Sequence, residues 1–363
     1  MTLRVMNGMD QGSTGQISWE LAGCTVNDSL VDSFGTGTPR FGDTTHRYWF
    51  TDNGTGEFRI DFPTTFSGDV IWGSFAFQPV AGGSQGGDAW GIHRGGSTWT
   101  SGGILDATYG VFHLDWQGGV LYQFYDGAGT AVGNPFSLEN SKWYWFDFVC
   151  TATATGTLTV KMNGNTIVNN VSGDYVGTSG AGSAAYSFCI DPSKNGWLWD
   201  DFAFGDGAGS LNITFLGEQW IQIILPDGDS TNTGFTTLLP TTPVDRYSKI
   251  NEAGSEDDDT SYCDTAALSD EYTVTLAALV DSPISGGIAG LQLSQRGRRS
   301  SGVDVTTLRS RVDSGGTYYN GTDKVMADTY DNVTDIWEQD PNAGPAAWTE
   351  TTVNALLASG IMV

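Results

Sequence analysis

Thr157-Leu-Thr-Val-Lys-Met-Asn-Gly-Asn-Thr-Ile-Val168 decides the fold of this chain. It holds two runs of strand character, Thr157–Met162 and Asn165–Val168, joined by Asn163-Gly164. An Asn-Gly pair between such runs is the strongest short-range hairpin signal, because both turn positions need positive φ. Working outward, the same grammar recurs. Glu57-Phe-Arg-Ile-Asp-Phe62 alternates, placing Phe58, Ile60 and Phe62 on one face. Val70–Phe77, Tyr109–Trp116, Val120–Tyr125, Trp143–Val149 and Gly196–Phe204 read as further strands, each bounded by glycine or Asx turns. No helical period is sustained for three turns between Ile17 and Phe204. The sequence predicts an all-β first domain.

Composition agrees. The chain has 363 residues, enough for two domains of ordinary size, with Gly 50, 16% charged and 12% aromatic residues. Lys+Arg 16 against Asp+Glu 42 gives 16 − 42 = −26, which argues against nucleic acid as a partner, since phosphate binding needs clustered basic residues. No run approaches the roughly 20 apolar residues of a membrane helix, so no membrane insertion is expected. Met1–Asp10 lacks the apolar core of a secretory signal, so synthesis in a cytoplasm is expected. Cys24, Cys150, Cys189 and Cys263 have no metal-ligand spacing; they read as small buried hydrophobes, with a Cys150–Cys189 pairing left open.

Three motifs together carry a family resemblance. Trp143 opens a strand, Gly156-Thr-Leu-Thr-Val-Lys-Met-Asn-Gly164 forms the hairpin, and Asp200-Asp201-Phe-Ala-Phe204 lies in a terminal strand. This resembles a laminin-G or concanavalin-A-like jelly-roll β-sandwich, with Trp199 standing where that family has Leu or Ile. Downstream come Phe-Gly-Asp-Gly-Ala-Gly-Ser (204–210), Phe-Leu-Gly-Glu-Gln-Trp-Ile-Gln (215–222) and Leu-Pro-Asp-Gly-Asp (225–229). Val-Asp-Arg-Tyr (244–247) and Glu-Asp-Asp-Asp-Thr-Ser-Tyr (256–262) follow. Their order resembles a joint in virion proteins of tailed bacteriophages, where such a jelly roll precedes a second, phage-associated β domain. The resemblance implies a structural protein on the particle surface, as a capsid decoration, head fibre or tail appendage. Its expected partners are other virion proteins, copies of itself and a host-surface glycan. The alternative is a dedicated carbohydrate-binding adhesin for host attachment.

The expected layout is a jelly roll over 1–207, a linker over 208–214 and a smaller β-rich docking domain over 215–363. In the last, Trp220–Leu225 reads as a strand cut off by Pro226-Asp-Gly-Asp229. Tyr272–Leu276, Gly290–Ser294, Val303–Val312 and Val325–Tyr330 follow as strands. Trp348–Gly360 reads as one short helix, capped by Thr349 and stopped by Gly360, before a closing apolar Ile361-Met-Val363. That closing segment is expected to be a final strand or anchor, and the second domain as a whole is the expected docking unit.

The reading for chemistry is negative. Glycosidases of this fold use a carboxylate pair on one strand face, and no Glu-x-Asp-x-x-Glu occurs; Glu20, Glu57 and Glu139 stand alone. His46, His93 and His113 have no nucleophile motif beside them. The chain is therefore expected not to be an enzyme. For glycan contact the candidates are Trp90, His93 and Trp99, in the glycine-flanked segment 86–99, because an indole face suits the apolar face of a pyranose. The competing reading packs both tryptophans over the sandwich edge or against a neighbour. For a metal the candidates are Asp227 and Asp229, and Asp257 and Asp259 with Glu252 and Glu256, calcium being the cation such oxygens suit. The competing reading, which leads, is ordinary turns, since neither cluster shows the twelve-residue EF-hand register. Arg296-Gly-Arg-Arg299, the basic cluster, reads as a subunit contact or a solvated hairpin tip.

Overall fold

The structure is a computed structural model. It describes residues 2–7, 25–28, 34–35, 48–50, 58–62, 69–80, 87–94, 110–176, 186–190, 197–207, 215–219, 221–232, 234–251, 258–279, 287–300, 307–344 and 346–363. The chain divides into two compact units, Met1–Ile221 and Gln222–Val363.

The first unit is a jelly-roll β-sandwich of the concanavalin-A-like class. Its strands in chain order are β1 (Thr2–Asn7), β2 (Thr25–Asp28), β3 (Phe34–Gly35), β4 (Tyr48–Phe50) and β5 (Phe58–Asp61). Next come β6 (Val70–Gln78), β7 (Gly87–Arg94), β8 (Gly110–Gly118), β9 (Leu121–Asp126) and β10 (Ala131–Ser137). The last are β11 (Tyr144–Thr151), β12 (Gly156–Met162), β13 (Asn165–Gly173), β14 (Tyr186–Ile190) and β15 (Leu198–Asp206). One sheet runs β13-β12-β11-β6-β15-β4-β3, with β1 also paired to β15; the other runs β10-β9-β8-β7-β14-β5-β2. All described pairings are antiparallel.

The hairpin forms as its sequence demands. Asn163 and Gly164 have φ of 49° and 77°, and the Asn163 carboxamide oxygen accepts the Trp145 N–H at 2.7 Å. Between the sheets lies an aromatic core built on Phe75, Trp90, Phe146, Phe188 and Trp199. Its packing explains Gly73: a Cβ there would stand 2.7 Å from the Phe148 ring. The Asp200-Asp201 pair also has a structural reason. Pairing of β15 with β6 slips between Asp200 and Ala203, and Asp201 takes φ 51°. This bulge resets the alternation, so Trp199, Phe202 and Phe204 all reach the core despite their mixed parity. The Asp201 carboxylate accepts the Ile221 N–H at 2.8 Å, tying the end of this unit to its last strand. Cys150 and Cys189 are buried on opposite sheets and are not bonded to each other, so the disulfide left open by the sequence is not formed.

The second unit contains β16 (Pro226–Asp229), β17 (Thr237–Leu239), β18 (Tyr262–Asp264), β19 (Glu271–Leu276) and β20 (Leu291–Gly297). It continues with β21 (Thr307–Ser314), β22 (Thr317–Val325), β23 (Asp331–Trp337), helix α1 (Glu350–Asn354) and β24 (Leu357–Met362). A five-stranded sheet runs β16-β19-β24-β21-β22, accompanied by the pairs β17-β18 and β20-β23.

Some expectations change here. The strand expected over Trp220–Leu225 begins instead at Pro226, because the first position of an edge strand is one place where proline's missing N–H costs nothing. The helix is shorter than Trp348–Gly360. Thr349 caps it in a reciprocal box with Thr352, but it ends at Asn354, and Gly360 lies inside β24 rather than stopping a helix. There a Cβ would meet the Tyr272 ring at 2.5 Å. The closing apolar segment is a strand, one of the two readings open for it: β24 is the middle strand of its sheet, bonded to β19 and β21.

Candidate glycan-facing sheet

Strand alternation gives the seven-stranded sheet two different faces. On β8, Phe112 and Leu114 enter the core while His113 and Asp115 take the outer side. On β9, Tyr122 and Phe124 face in and Gln123 and Tyr125 face out. The register sets His113 opposite Tyr125 and Asp115 opposite Gln123. The His113 and Tyr125 rings stack, with centroids 5.3 Å apart and planes 14° from parallel. Gln117, exposed near the end of β8, donates through Nε2 to Asp115 Oδ2 at 2.7 Å and to the Tyr125 hydroxyl at 3.2 Å. Burial pushes the His113 imidazole down to about 4, so it is uncharged at neutral pH. The Gly118-Gly119 turn, with φ of 101° and 63°, closes the hairpin, and the Trp116 indole N–H bonds the Gly119 carbonyl at 3.0 Å.

His93 reaches the same face from β7. It lies opposite Ser187 on β14, and Ser187 donates to Asp61 at 2.6 Å. His93 is 1% exposed, however, so it underlies the face rather than presenting to a ligand.

Trp90 is the clearest correction. The glycine-flanked segment suggested exposure, yet Trp90 is 0% exposed and lies edge-on to Phe75, Phe112, Phe124 and Phe146. Its inward parity on β7 makes it core, and it offers no indole face to a sugar. Trp99 lies outside the described residues.

The metal candidates are also corrected. Asp229 accepts the N–H groups of Arg246 and Tyr247 at 2.9 and 2.7 Å, with the Arg246 guanidinium 3.8 Å away. Asp227 accepts the Thr275 hydroxyl at 2.6 Å. Asp259 takes Arg298 at 2.5 Å and the Tyr330 hydroxyl at 3.0 Å, while Asp258 receives a two-pronged bond from Arg296. Asp257 lies outside the described residues. Among those described, no group of three or more His, Cys, Asp or Glu is placed to hold a metal ion. At Asp258 and Asp259 the carboxylate oxygens are already engaged by guanidinium groups, which does not suit calcium.

The same geometry resolves the basic cluster. Arg296, Arg298 and Arg299 pair with Asp258, Asp259 and Asp328 of their own chain. Arg296 and Arg298 each sit 5.0 Å from the Tyr330 ring centre. Burial and the Asp259 contact push the Tyr330 phenol up to about 12, so it remains a donor to Asp259.

The sequence reading missed Tyr125, Asp115 and Gln117 and saw His113 only as a histidine without a triad. The signal was present in the alternation of 109–116 and 120–125, whose outward positions are polar. It needed the register to bring His113 beside Tyr125.

No protein-family model and no curated protein sequence matches the chain. Among solved structures it is similar to the alginate lyase Aly36B bound to an alginate tetrasaccharide, with 12% identity, 56% of this chain and 96% of that one covered, and a TM-score of 0.39. It is similar to alginate lyase vAL-1 from Chlorella virus, with 15% identity, 55% and 100% coverage and a TM-score of 0.36. The carbohydrate recognition domain of Emp46p in its metal-free form gives 13% identity, 56% and 97% coverage and a TM-score of 0.37. The expectation that the chain is not an enzyme is corrected by this list, in which alginate lyases stand beside a carbohydrate recognition domain. The missing carboxylate pair speaks to one type of glycoside hydrolysis alone.

Proposed function

We propose that this chain is a glycan-recognition protein on the surface of a tailed-phage particle, and that the outer face of the seven-stranded sheet meets the sugar. The observation that carries the reading is the cluster His113, Tyr125, Asp115 and Gln117. It combines an aromatic platform with orienting polar groups on a regular, rigid element. The order of motifs from Phe204 to Tyr262 supports the particle, as does a net charge of −26 that suits solubility at high copy number. In this reading the protein is made in the host cytoplasm, docks on other virion proteins, and self-associates. Many copies then make a weak sugar site effective through avidity.

The experiment has two parts. Quantitative mass spectrometry of purified particles fixes the copy number against the major capsid protein: tens to hundreds mean a capsid decoration, a handful a dedicated adhesin, and none rejects the virion reading. Calorimetric titration of the purified chain with oligosaccharides tests the face. Loss of binding in Tyr125→Ala with unchanged folding is expected, and product release in the same mixtures would move the reading from binding to turnover.

A further inference from the structure

Two Asn-Gly pairs lie wholly within the described residues, Asn163-Gly164 and Asn320-Gly321, and the fold treats them differently. Such a pair carries latent chemistry, because glycine has no Cβ to shield its amide nitrogen or restrict its backbone. That nitrogen attacks the asparagine Cγ and closes a five-membered succinimide. The proton it gives up leaves with the carboxamide NH2 as ammonia. Water then opens the ring at either carbonyl, giving aspartate or isoaspartate. Water is the sole reactant consumed.

Asn163 is exposed but held. Its carboxamide oxygen accepts the Trp145 N–H at 2.7 Å, and its own N–H donates to the Trp145 carbonyl at 2.8 Å. Its carbonyl accepts the Asn165 amide at 3.3 Å. With φ fixed at 49° and 77° in the turn, the Asn163 carboxamide swings toward the Gly164 nitrogen only by breaking the bond to Trp145.

Asn320 is exposed on β22, an edge strand, and its carboxamide makes no hydrogen bond among the described residues. The ladder is broken beside it. Arg309 lies opposite Asp323 and Arg311 opposite Asn320, so Gly321 and Thr322 share Ser310 as their counterpart. The Thr322 N–H turns to Asp335 at 2.9 Å. Glycine is required at 321, because a Cβ there would run into the Asp335 carboxylate and the Ser310 hydroxyl. The bulge thus demands the residue that makes its asparagine reactive, and leaves that asparagine's side chain free to turn.

We propose that Asn320 is a site of spontaneous deamidation in the folded protein, and that Asn163 is spared. Each event places a new carboxylate opposite Arg311. The isoaspartate product also adds a methylene to the backbone of an edge strand.

The test holds the full chain at mildly alkaline pH in heavy-oxygen water, folded and in urea, and maps its peptides by mass spectrometry. Heavy oxygen marks each ring opened during the incubation, and chromatography separates aspartate from isoaspartate. In the folded chain Asn320 should convert faster than Asn163 by roughly tenfold or more, the scale of the hydrogen bond Asn163 must break. In urea the two rates should come within about threefold, because neither pair is then held. Asn320→Gln should lose the label at that peptide and keep the parent's melting temperature. Conversion of Asn163 as fast as Asn320 in the folded chain would overturn the proposal. The same preference in urea as in the folded chain would assign it to neighbouring sequence and remove the role of the bulge.

Discussion

Asp147 lies on β11 between Phe146 and Phe148, on the side of the sheet opposite those two rings, and is 1% exposed. Its register partners are Ser74 on β6 and Lys161 on β12. Segment 215–219 supplies the Gly217 N–H and the Glu218 charge, and Phe215 lies under the Lys161 ammonium, 4.1 Å from the ring centre. Burial dominates and pushes the carboxyl up to about 6. The Trp145 indole, the Gly217 N–H and Lys161 oppose that rise, and Glu218 adds to it. A carboxyl raised from 3.8 in the unfolded chain binds its proton more tightly when folded. The first unit is therefore most stable below about pH 4 with respect to this group, and loses stability as pH rises to about 6. The loss is at most about 3 kcal/mol. Asp147→Asn should remove that slope and raise the first unit's melting temperature at pH 7.5, with little change at pH 4. Melts followed by near-ultraviolet circular dichroism across pH 4–7.5 would show it; parallel curves for the two proteins would mean that Asp147 is solvated when folded.

At the scale of elements, the edges of the sheets show how the fold avoids pairing with strangers. β10 carries Pro135 and a register break between Val132 and Phe136. β13 slips against β12 near Val160 and holds Asn170 at φ 50°. β22 breaks opposite Arg309 and Arg311, with the Thr322 N–H turned to Asp335 at 2.9 Å. Bulges and proline are common protections for such edges. Inside the second sheet the constraint is closeness rather than irregularity. Gly360 on β24 lies opposite Tyr272 on β19, whose ring occupies the place a side chain would take. Gly360→Val should destabilise the second unit by about 1–3 kcal/mol, the usual cost of overpacking. Urea melts with Trp337 and Trp348 fluorescence would read it, and a midpoint unchanged from the parent would mean that the ring moves aside freely.

These elements also show what a sequence can and cannot reveal. The Asn163-Gly164 hairpin was legible because its signal is local, two residues that tolerate positive φ between two strand-like runs. The face carrying His113 and Tyr125 was not, because its members come from two strands and meet through register alone. Trp90 misled for a related reason: its glycine neighbours suggest a loop, while parity on β7 points it inward. Gly360 resembled a helix stop because glycine ends helices, and the ring that requires it lies nearly 90 residues earlier in the chain.

For the whole molecule, the order in which the chain completes each unit differs. The first unit closes with its own ends: β1 pairs with β15, and the aromatic core is drawn from strands between them. The second cannot close until β24 is in place, because that strand is the bridge between β19 and β21. It also contributes Ala358 to the cluster of Phe235, Tyr272 and Val274, and its Ser359 carbonyl accepts the buried Gln295 amide at 2.6 Å. Ending the chain after Leu356 would leave two unpaired edges and that amide unbonded, and each buried polar group left without a partner costs about 1–3 kcal/mol. A typical domain has about 5–15 kcal/mol to lose, so several such losses together remove the second unit. The shortened chain should yield, under limited proteolysis, a resistant fragment ending near Ile221, with the first unit's melting unaltered. Mass spectrometry of the digest identifies that fragment. Protection of Gln222–Leu356 equal to that in the full chain would show that β19 and β21 hold their places without the strand between them.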